Sequence, residues 1–422
     1  MSDMNNAPRV ALDSLGCKLN QAEIEALARR LAGAGYRLVA PTDAADIYIL
    51  NTCTVTATAD SKSRKLLRAA RRRNPGARLV AIGCYAERAP EELAAIEGVD
   101  LVLGNDHKAE LPRILGDGAT WQDMTGQGAT RPGEGGRRTR AFVKVQDGCH
   151  SFCAYCIVPF VRSREMSIPA DEVVAQVGER AAAGFKEVVL TGTEIGTYRH
   201  GGLDLAGLLG RILAGTDIAR LRLSSLQPPE IKPELIELWG DKRLCPHFHL
   251  SLQSGSDAVL ERMNRRYATA DYARAVALIR DSVPDTAVTT DVIAGFPGET
   301  DAEFRETLEF CRRMRFARIH GFPYSPRPGT AAAKMPGQIP APLKKARTQE
   351  LLALAGESLR GFLKQHIGRT PEVLFERASG GLFNGLTGNY IKVYVKSRGD
   401  VTNKILPVRL TGLYKDGMMG EV

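Results

Sequence analysis

The chain has 422 residues, 44% hydrophobic and 25% charged, which excludes a disordered or fibrous protein, and its length excludes a single core. No apolar run is long enough to cross a membrane, and residues 1–10 lack a basic-then-apolar signal segment, so a cytoplasmic protein without membrane contact is expected. The net charge of +9 suits a polyanionic partner such as RNA, although a solvated basic surface gives the same number.

The first ~115 residues alternate strand and helix. Strands are expected at 9–13, 47–50 and 78–82. Helices are expected at 21–33, at 61–73, closed by Asn74-Pro75-Gly76, and from Pro90 to Ile96. This alternation predicts a doubly wound parallel sheet with right-handed crossovers over residues 1–118. Residues 116–140 are rich in glycine, threonine and charge, and 119–138 read as a linker. Strand-like runs then recur at 141–145, 187–191, 220–224, 248–253, 287–293 and 317–322, with helical stretches between them. Six such units predict a partial (β/α)6 barrel over 139–366, trailed by a helix at 343–366. After Gly368 the pattern changes to short glycine-broken strands at 371–376, 385–387, 390–395 and 405–411. They predict a small antiparallel β-barrel over 367–422.

Eight cysteines in a chain expected in a reducing compartment point to metal or redox chemistry. Cys149, Cys153 and Cys156 form a C-x-x-x-C-x-x-C loop. Three thiolates can ligate three irons of a cubane cluster and leave the fourth iron open for a small molecule. A structural zinc site with His150 or a remote cysteine is the competing reading. Cys17, Cys53 and Cys84 are separated by 36 and 31 positions, about one strand–helix–strand unit each. Each follows a predicted strand, and in an open parallel sheet the strand ends share one edge. The three thiols are therefore expected to converge, with Gly16 and Gly83 allowing close approach to a bulky ligand. The alternative is three unrelated buried cysteines. Cys245 and Cys311 match no cluster motif and read as structural.

The Cys149 loop, with Tyr155 before its last cysteine, resembles the radical S-adenosylmethionine (SAM) superfamily. There SAM chelates the open iron and is cleaved reductively to a 5′-deoxyadenosyl radical. Two three-cysteine sites in this order resemble the methylthiotransferase family along essentially the whole chain. Leu15–Gln21, Asn51–Thr56 with Thr54 after the second cysteine, Gly83–Ala86 and Ser251–Asp257 look like the branch acting on N6-threonylcarbamoyladenosine at tRNA position 37. The branches acting on isopentenyladenosine or on a ribosomal-protein aspartate usually carry serine or glycine where Thr54 stands. A non-catalytic RNA-binding zinc protein is the remote alternative.

The resemblance implies two 4Fe–4S clusters: an auxiliary one on Cys17, Cys53 and Cys84, and the catalytic radical SAM cluster on Cys149, Cys153 and Cys156. It implies SAM contacts from Tyr155, Arg164, Thr191, Gly192, Glu194, Gln253, Ser254, Asp291 and Gly295. It also implies a terminal RNA-binding TRAM domain, a tRNA anticodon loop as partner, and a low-potential electron donor such as flavodoxin or ferredoxin. A monomer is expected. Arg162, like Arg164, is a candidate to pair with the SAM carboxylate. Glu194 can equally be a loop carboxylate, and Gly295 can serve only its turn. His247 and His249 read as satisfied barrel residues.

Lys62, Arg64, Lys65, Arg68, Arg71, Arg72 and Arg73 fall within twelve residues with no acid among them, a one-signed helix that could grip phosphates. Residues 361–422 carry nine Lys/Arg and five Asp/Glu. That excess, with Lys392 and Lys396 and the aromatics Phe383, Tyr390 and Tyr394, predicts a surface that tracks a backbone and stacks bases.

Overall fold

The computed structural model describes residues 7–116 and 139–422. The first six residues and the predicted linker at 119–138 lie outside the described residues.

The leading unit is a five-stranded parallel sheet of β1 (Arg9–Ser14), β2 (Arg37–Val39), β3 (Ile47–Thr52), β4 (Arg78–Gly83) and β5 (Leu101–Leu103), in spatial order 2-1-3-4-5. β3 is buried at every position, so a continuous apolar run rather than an alternating one marks it. The short strands β2 and β5 were not expected, because three residues carry no readable period. Helix α1 (Lys18–Gly33) starts straight after Cys17, α2 (Ala57–Arg73) is capped by the Thr56 hydroxyl accepting from the Ala59 amide at 3.2 Å, and α3 (Cys84–Arg88) starts at Cys84 itself.

The second unit carries six parallel strands in chain order: β6 (Arg140–Lys144), with the small hairpin-like pair β7 (Gln146–Asp147) and β8 (Met166–Ser167), then β9 (Glu187–Thr191), β10 (Arg220–Leu223), β11 (Ser225–Leu226), β12 (His247–Leu250), β13 (Ala287–Ala294) and β14 (Arg318–Pro323). β10 pairs with β9, and β11, one residue further along the same strand, pairs with β12. That change of partner joins a three-stranded and a four-stranded sheet into one curved array, as a partial barrel requires.

Period-two alternation sorts the barrel side chains. Ala141, Val143, Val188, Leu190, Leu221, Leu223, Phe248, Leu250, Val288, Val292 and Ile319 join the largest apolar core, packed with the surrounding helices. The opposite positions are polar: Arg140, Glu187, Arg222, His247, His249, Thr289, Asp291 and His320 share the inner face. Arg222 and Glu187 form a fully buried bidentate pair at 2.8 and 3.1 Å.

A long helix, Ala341–Lys364, leads to a six-stranded sheet of β15 (Glu372–Ser379), β16 (Leu382–Thr387), β17 (Lys392–Val395), β18 (Ile405–Pro407), β19 (Arg409–Tyr414) and β20 (Gly417–Glu421). The expectation of a purely antiparallel module needs correction. β17 pairs with β20 in parallel, because the intervening β18–β19 excursion brings the chain back in the same direction. This sheet seals one end of the barrel. Arg220 donates to the carbonyls of Leu386 and Glu372, Arg222 donates to that of Gly388, and the Tyr390 ring stacks on His247 at 4.7 Å.

Candidate metal and cofactor centre

Cys17, Cys53 and Cys84 come together at the C-terminal edge of the first sheet, on three neighbouring strand ends. Gly16 adopts φ +108°, and a Cβ there would lie 2.6 Å from the Cβ of Cys53, so only glycine lets the two loops approach this closely. Asn20 fixes the pair of loops by donating to the carbonyls of Leu15 (2.8 Å) and Thr52 (3.0 Å). Asn105 Nδ2 lies 3.7 Å from Cys84 Sγ and Arg162 Nε 3.3 Å from it, both able to donate to a thiolate. Burial pushes the Cys53 thiol up to about 12 and raises Cys17, whose rise Arg162 opposes. Cys17 still keeps accessible surface. A thiol can be both surrounded and accessible when it lines an enclosed chamber.

The second trio sits on the loop after β7. Cys149 donates to Glu194 Oε2 at 2.9 Å, and burial together with that carboxylate pushes its thiol up to about 12. Burial does the same to Cys156. Arg265 Nη1 donates to Cys153 Sγ at 3.1 Å, while its Nη2 reaches Gln227 Oε1 at 2.8 Å; Gln227 in turn contacts Glu194. Tyr155 packs with Ala154, Val259, Met263 and Phe296 beneath the loop. His150 turns away to the Ser163 carbonyl at 2.7 Å, so a zinc site completed by His150 does not fit this loop.

The two trios are joined by the segment that leaves Cys156. Ile157 and Val161, before and in the short helix Val158–Val161, pack directly on Cys84. Arg162, with 3% of its side chain exposed, bonds Glu23 at 2.8 and 3.0 Å, Asp147 at 2.7 Å and Asn20 at 3.1 Å, besides Cys84. A second bridge centres on Thr54. Its buried hydroxyl donates to Asp60 at 2.6 Å and accepts from Arg88 and, across the interface, from Arg327, both at 2.8 Å.

The other predicted residues divide. Thr191 and Gly192 lie beside the Cys149 loop at the end of β9, and a Cβ on Gly192 would meet the Gln146 carbonyl at 2.8 Å. Glu194 is the hub of that loop. Gln253 adopts φ +68° and pairs its backbone with β13 next to Asp291, which ion-pairs with His249 at 3.2 Å. Ser254 is corrected: it is fully buried and bonds Thr307 at 3.0 Å, so its hydroxyl holds a helix rather than facing the loop. Gly295 (φ +75°) serves its turn, its amide donating to Glu299 at 2.8 Å. Arg164 is exposed and lines a side cavity with Glu23, Lys108 and Asp147. Arg162, one of the two arginines considered for the SAM carboxylate, lies against Cys84 at 3.3 Å.

On α2, Lys62, Lys65, Arg68 and Arg72 are exposed at spacings of 3, 3 and 4, one stripe of the helix. Arg71 is not part of it. Its guanidinium is taken up by the carbonyls of Pro75, Ala77 and Gly98 and by Asp100 at 3.0 Å. Arg64 bonds the Tyr85 hydroxyl at 2.6 Å and is half-buried. Lys396 is exposed, whereas Lys392 pairs with Asp416 at 3.2 Å. The stacking platform expected from Phe383, Tyr390 and Tyr394 also needs correction. Phe383 packs on the core, Tyr390 plugs the barrel, and Tyr394 is buried with its hydroxyl on Asp416.

Asn20, Asn105, Gln227, Arg265 and Lys18 escaped the sequence reading. Lys18 and Asn20 had a local signal, since both lie in the first turn after Cys17. The others become neighbours of a cysteine only through folding. Each trio offers three convergent thiols with amide or guanidinium donors around them, a donor set that fits an iron–sulfur cluster with one open iron.

A family model for the radical SAM superfamily matches residues 143–311, and one described as "Uncharacterized protein family UPF0004" matches 9–104. The threonylcarbamoyladenosine tRNA methylthiotransferase of Aquifex aeolicus is 38% identical over 91% of this chain and 96% of its own length. That of Bacillus subtilis is 37% identical over 95% and 93%. A tRNA-2-methylthio-N(6)-dimethylallyladenosine synthase of Pelotomaculum thermopropionicum is 35% identical over 94% of each chain. In fold, the radical SAM methyltransferase TsrM of Kitasatospora setae superposes with a TM-score of 0.58 at 17% identity, covering 90% of this chain and 80% of that one. Similarity of this order along nearly the whole length settles the affiliation: the chain belongs to the radical SAM methylthiotransferase family.

Proposed function

We propose that the protein attaches a methylthio group to carbon 2 of N6-threonylcarbamoyladenosine at position 37 of tRNA. The observation that carries this reading is the direct packing of the auxiliary ligand Cys84 on the segment leaving the radical-cluster ligand Cys156, locked by Arg162. A sulfur donor and a radical source have to meet at one carbon atom, and this contact keeps the two trios together. The identity to threonylcarbamoyladenosine-specific relatives supports the substrate.

When bound, SAM and the two 4Fe–4S clusters supply the radical, the methyl group and the sulfur. The chain supplies position and charge. Cys149, Cys153 and Cys156 hold one cluster and Cys17, Cys53 and Cys84 the other. Arg162, Asn20 and Asn105 offer donors to sulfur on the auxiliary side, and Arg265 does so at Cys153. Binding of metal must displace the protons that burial favours on Cys17, Cys53, Cys149 and Cys156. Glu194, Gln227, Thr191 and Gly192 border the open side of the Cys149 loop, where the SAM amino group would bind, and Asp291 lies deeper in the barrel.

Residues 367–422 are read as a TRAM-like, OB-like RNA-binding module. The exposed stripe Lys62, Lys65, Arg68 and Arg72 is read as a phosphate grip for the anticodon stem-loop. The domain boundaries follow at 1–118, 139–366 and 367–422. An external one-electron donor of low potential, such as flavodoxin or ferredoxin, supplies the reductive step. No helix among the described residues is long and apolar enough to cross a membrane. The deciding experiment is anaerobic reaction of the reconstituted protein with SAM and tRNA carrying threonylcarbamoyladenosine, followed by nucleoside mass spectrometry. The 2-methylthio derivative of that nucleoside is expected; its absence, with methylthiolation seen only on isopentenyladenosine in a parallel reaction with tRNA carrying that base, would reject the substrate.

A further inference from the structure

The inner face of the barrel carries more nitrogen donors than its acids can pair. Glu187 is committed to Arg222, and Arg140 bonds Glu376 at 3.0 Å and the Tyr390 hydroxyl at 3.4 Å. Above them, Asp291 is the remaining acid. His249 sits against it at 3.2 Å, with its other ring nitrogen 3.0 Å from the Thr289 hydroxyl. The His320 ring lies 5.9 Å from that of His249. Lys18, the residue after the cluster ligand Cys17, reaches into the same space from the capping unit. It is close enough for its charge to act on His247, Asp291, His320 and Tyr390. Neither the Lys18 ammonium nor the His320 ring makes a hydrogen bond or ion pair among the described residues.

His249, Asp291 and His320 could by spacing hold a cation, their ligand atoms lying within 4.8 Å of one another. Lys18 in the same space disfavours that: its ammonium repels a divalent ion and attracts an anion. Two positions further along β14 on the same strand face, Phe322 is 47% exposed, an apolar surface at the end of the strand toward which the catalytic loops lie. The inner face of β14 thus carries an exposed aromatic ring two positions beyond the unpaired His320 donor.

We propose that Lys18 and His320, with His249 beside them, form an anion subsite that takes the carboxylate at the end of the substrate's N6 substituent, with the adenine ring against Phe322. This rests on the function proposed above and deepens it. The threonylcarbamoyl group ends in a carboxylate, while a dimethylallyl group is uncharged and offers the same donors no partner. Discrimination between the two nucleosides then comes from satisfying or abandoning polar groups, the most selective device available to a binding site.

The test uses the full-length protein with both clusters reconstituted and three forms of one tRNA: with threonylcarbamoyladenosine at position 37, with that nucleoside's carboxylate converted to its methyl ester, and with unmodified adenosine there. The wild-type protein is expected to bind the acid more tightly than the ester by roughly tenfold or more, the loss typical of a charge-assisted hydrogen bond. His320→Phe and Lys18→Met should each erase most of that preference, leaving affinity for the unmodified tRNA and the iron content unchanged. His320 is remote in sequence from every cysteine, so its variant remains informative if Lys18→Met loses the auxiliary cluster. Equal wild-type affinity for acid and ester overturns the subsite, as does an undiminished preference in His320→Phe. So does a stoichiometric non-iron metal that His320→Phe removes. Failure of the wild type to methylthiolate the acid form while binding it selectively would instead overturn the parent reading.

Discussion

Arg162 and Cys84 stand 78 positions apart in sequence, yet the guanidinium Nε lies 3.3 Å from the sulfur. One side chain therefore ties the loop after the radical-cluster ligands to an auxiliary-cluster ligand. The same guanidinium neutralises Glu23 and Asp147, both largely buried. Replacing Arg162 by Met keeps much of its length but leaves Glu23 to Lys108 and Lys144, at 2.6 and 3.1 Å, and Asp147 to Lys144 alone. With the lysines still in place, loss of the guanidinium is expected to cost about 1–3 kcal/mol, read from thermal or denaturant unfolding, with loss of auxiliary iron. Arg164→Met, on an exposed side chain, should change stability by less than about 0.5 kcal/mol. Equal effects of the two changes would refute the role given to Arg162.

The two cysteine trios should separate by function. Alanine at Cys17, Cys53 and Cys84 is expected to lower iron from roughly eight to roughly four per chain, as the loss of one 4Fe–4S cluster requires. Reductive cleavage of SAM should survive in that variant while methylthiolation disappears. Alanine at Cys149, Cys153 and Cys156 should abolish both. Iron and sulfide assays with product analysis of 5′-deoxyadenosine and tRNA nucleosides decide it.

Thr54 has a structural duty as well as a place in a motif. Thr54→Val keeps the shape and removes the hydroxyl shared by Asp60, Arg88 and Arg327. A loss of about 1–3 kcal/mol is expected, because Arg88 Nε loses its acceptor, whereas Arg327 keeps Asp60 at 2.6 Å. Thr54→Ser should retain most of the stability, since the hydroxyl remains. The comparison is made by unfolding of the two variants side by side.

Glu230 gives the chain a pH dependence that can be traced to one group. Burial, with the nearby charge of Glu194, raises its carboxyl from 4.5 to about 7. The folded state therefore holds a proton that the unfolded state has lost between those values. Its contribution is fully present below about 4.5 and is lost as pH rises through about 7. In Glu230→Gln the carbonyl can still accept from the Gln227 amide, which Glu230 now does at 2.8 Å. The melting temperature of this variant should fall less than that of the wild type between pH 5 and 8. An identical slope in the two proteins would sink the assignment.

The α2 stripe makes a prediction about salt. Changing Lys62, Lys65, Arg68 and Arg72 to Gln should weaken tRNA binding and flatten the plot of log affinity against log salt, by roughly 0.7–0.9 for each phosphate no longer neutralised. Arg71→Gln should instead lower stability, because its partners are carbonyls and Asp100 of the same unit. Titrations at several salt concentrations, with melting curves, separate the two effects.

The sequence by itself determined the parts whose cause is local. Apolar period and turn residues marked six barrel strands to within a residue or two at most ends, because each is buried on one face and packed against helices. Cysteine spacing marked both trios, since thiols placed after successive parallel strands must share an edge. What only the tertiary structure decided depends on residues far apart in the chain. No local pattern shows that Arg162 lies against Cys84, or that Tyr390 stacks on His247 at the end of the barrel. Nor does it show that Arg71 and Lys392 are occupied within the protein, or that β17 and β20 run parallel. A charged or aromatic side chain carries the same symbol whether its partner is solvent, RNA or a buried acid. Its role is fixed by which groups the fold leaves within three or four ångströms of it.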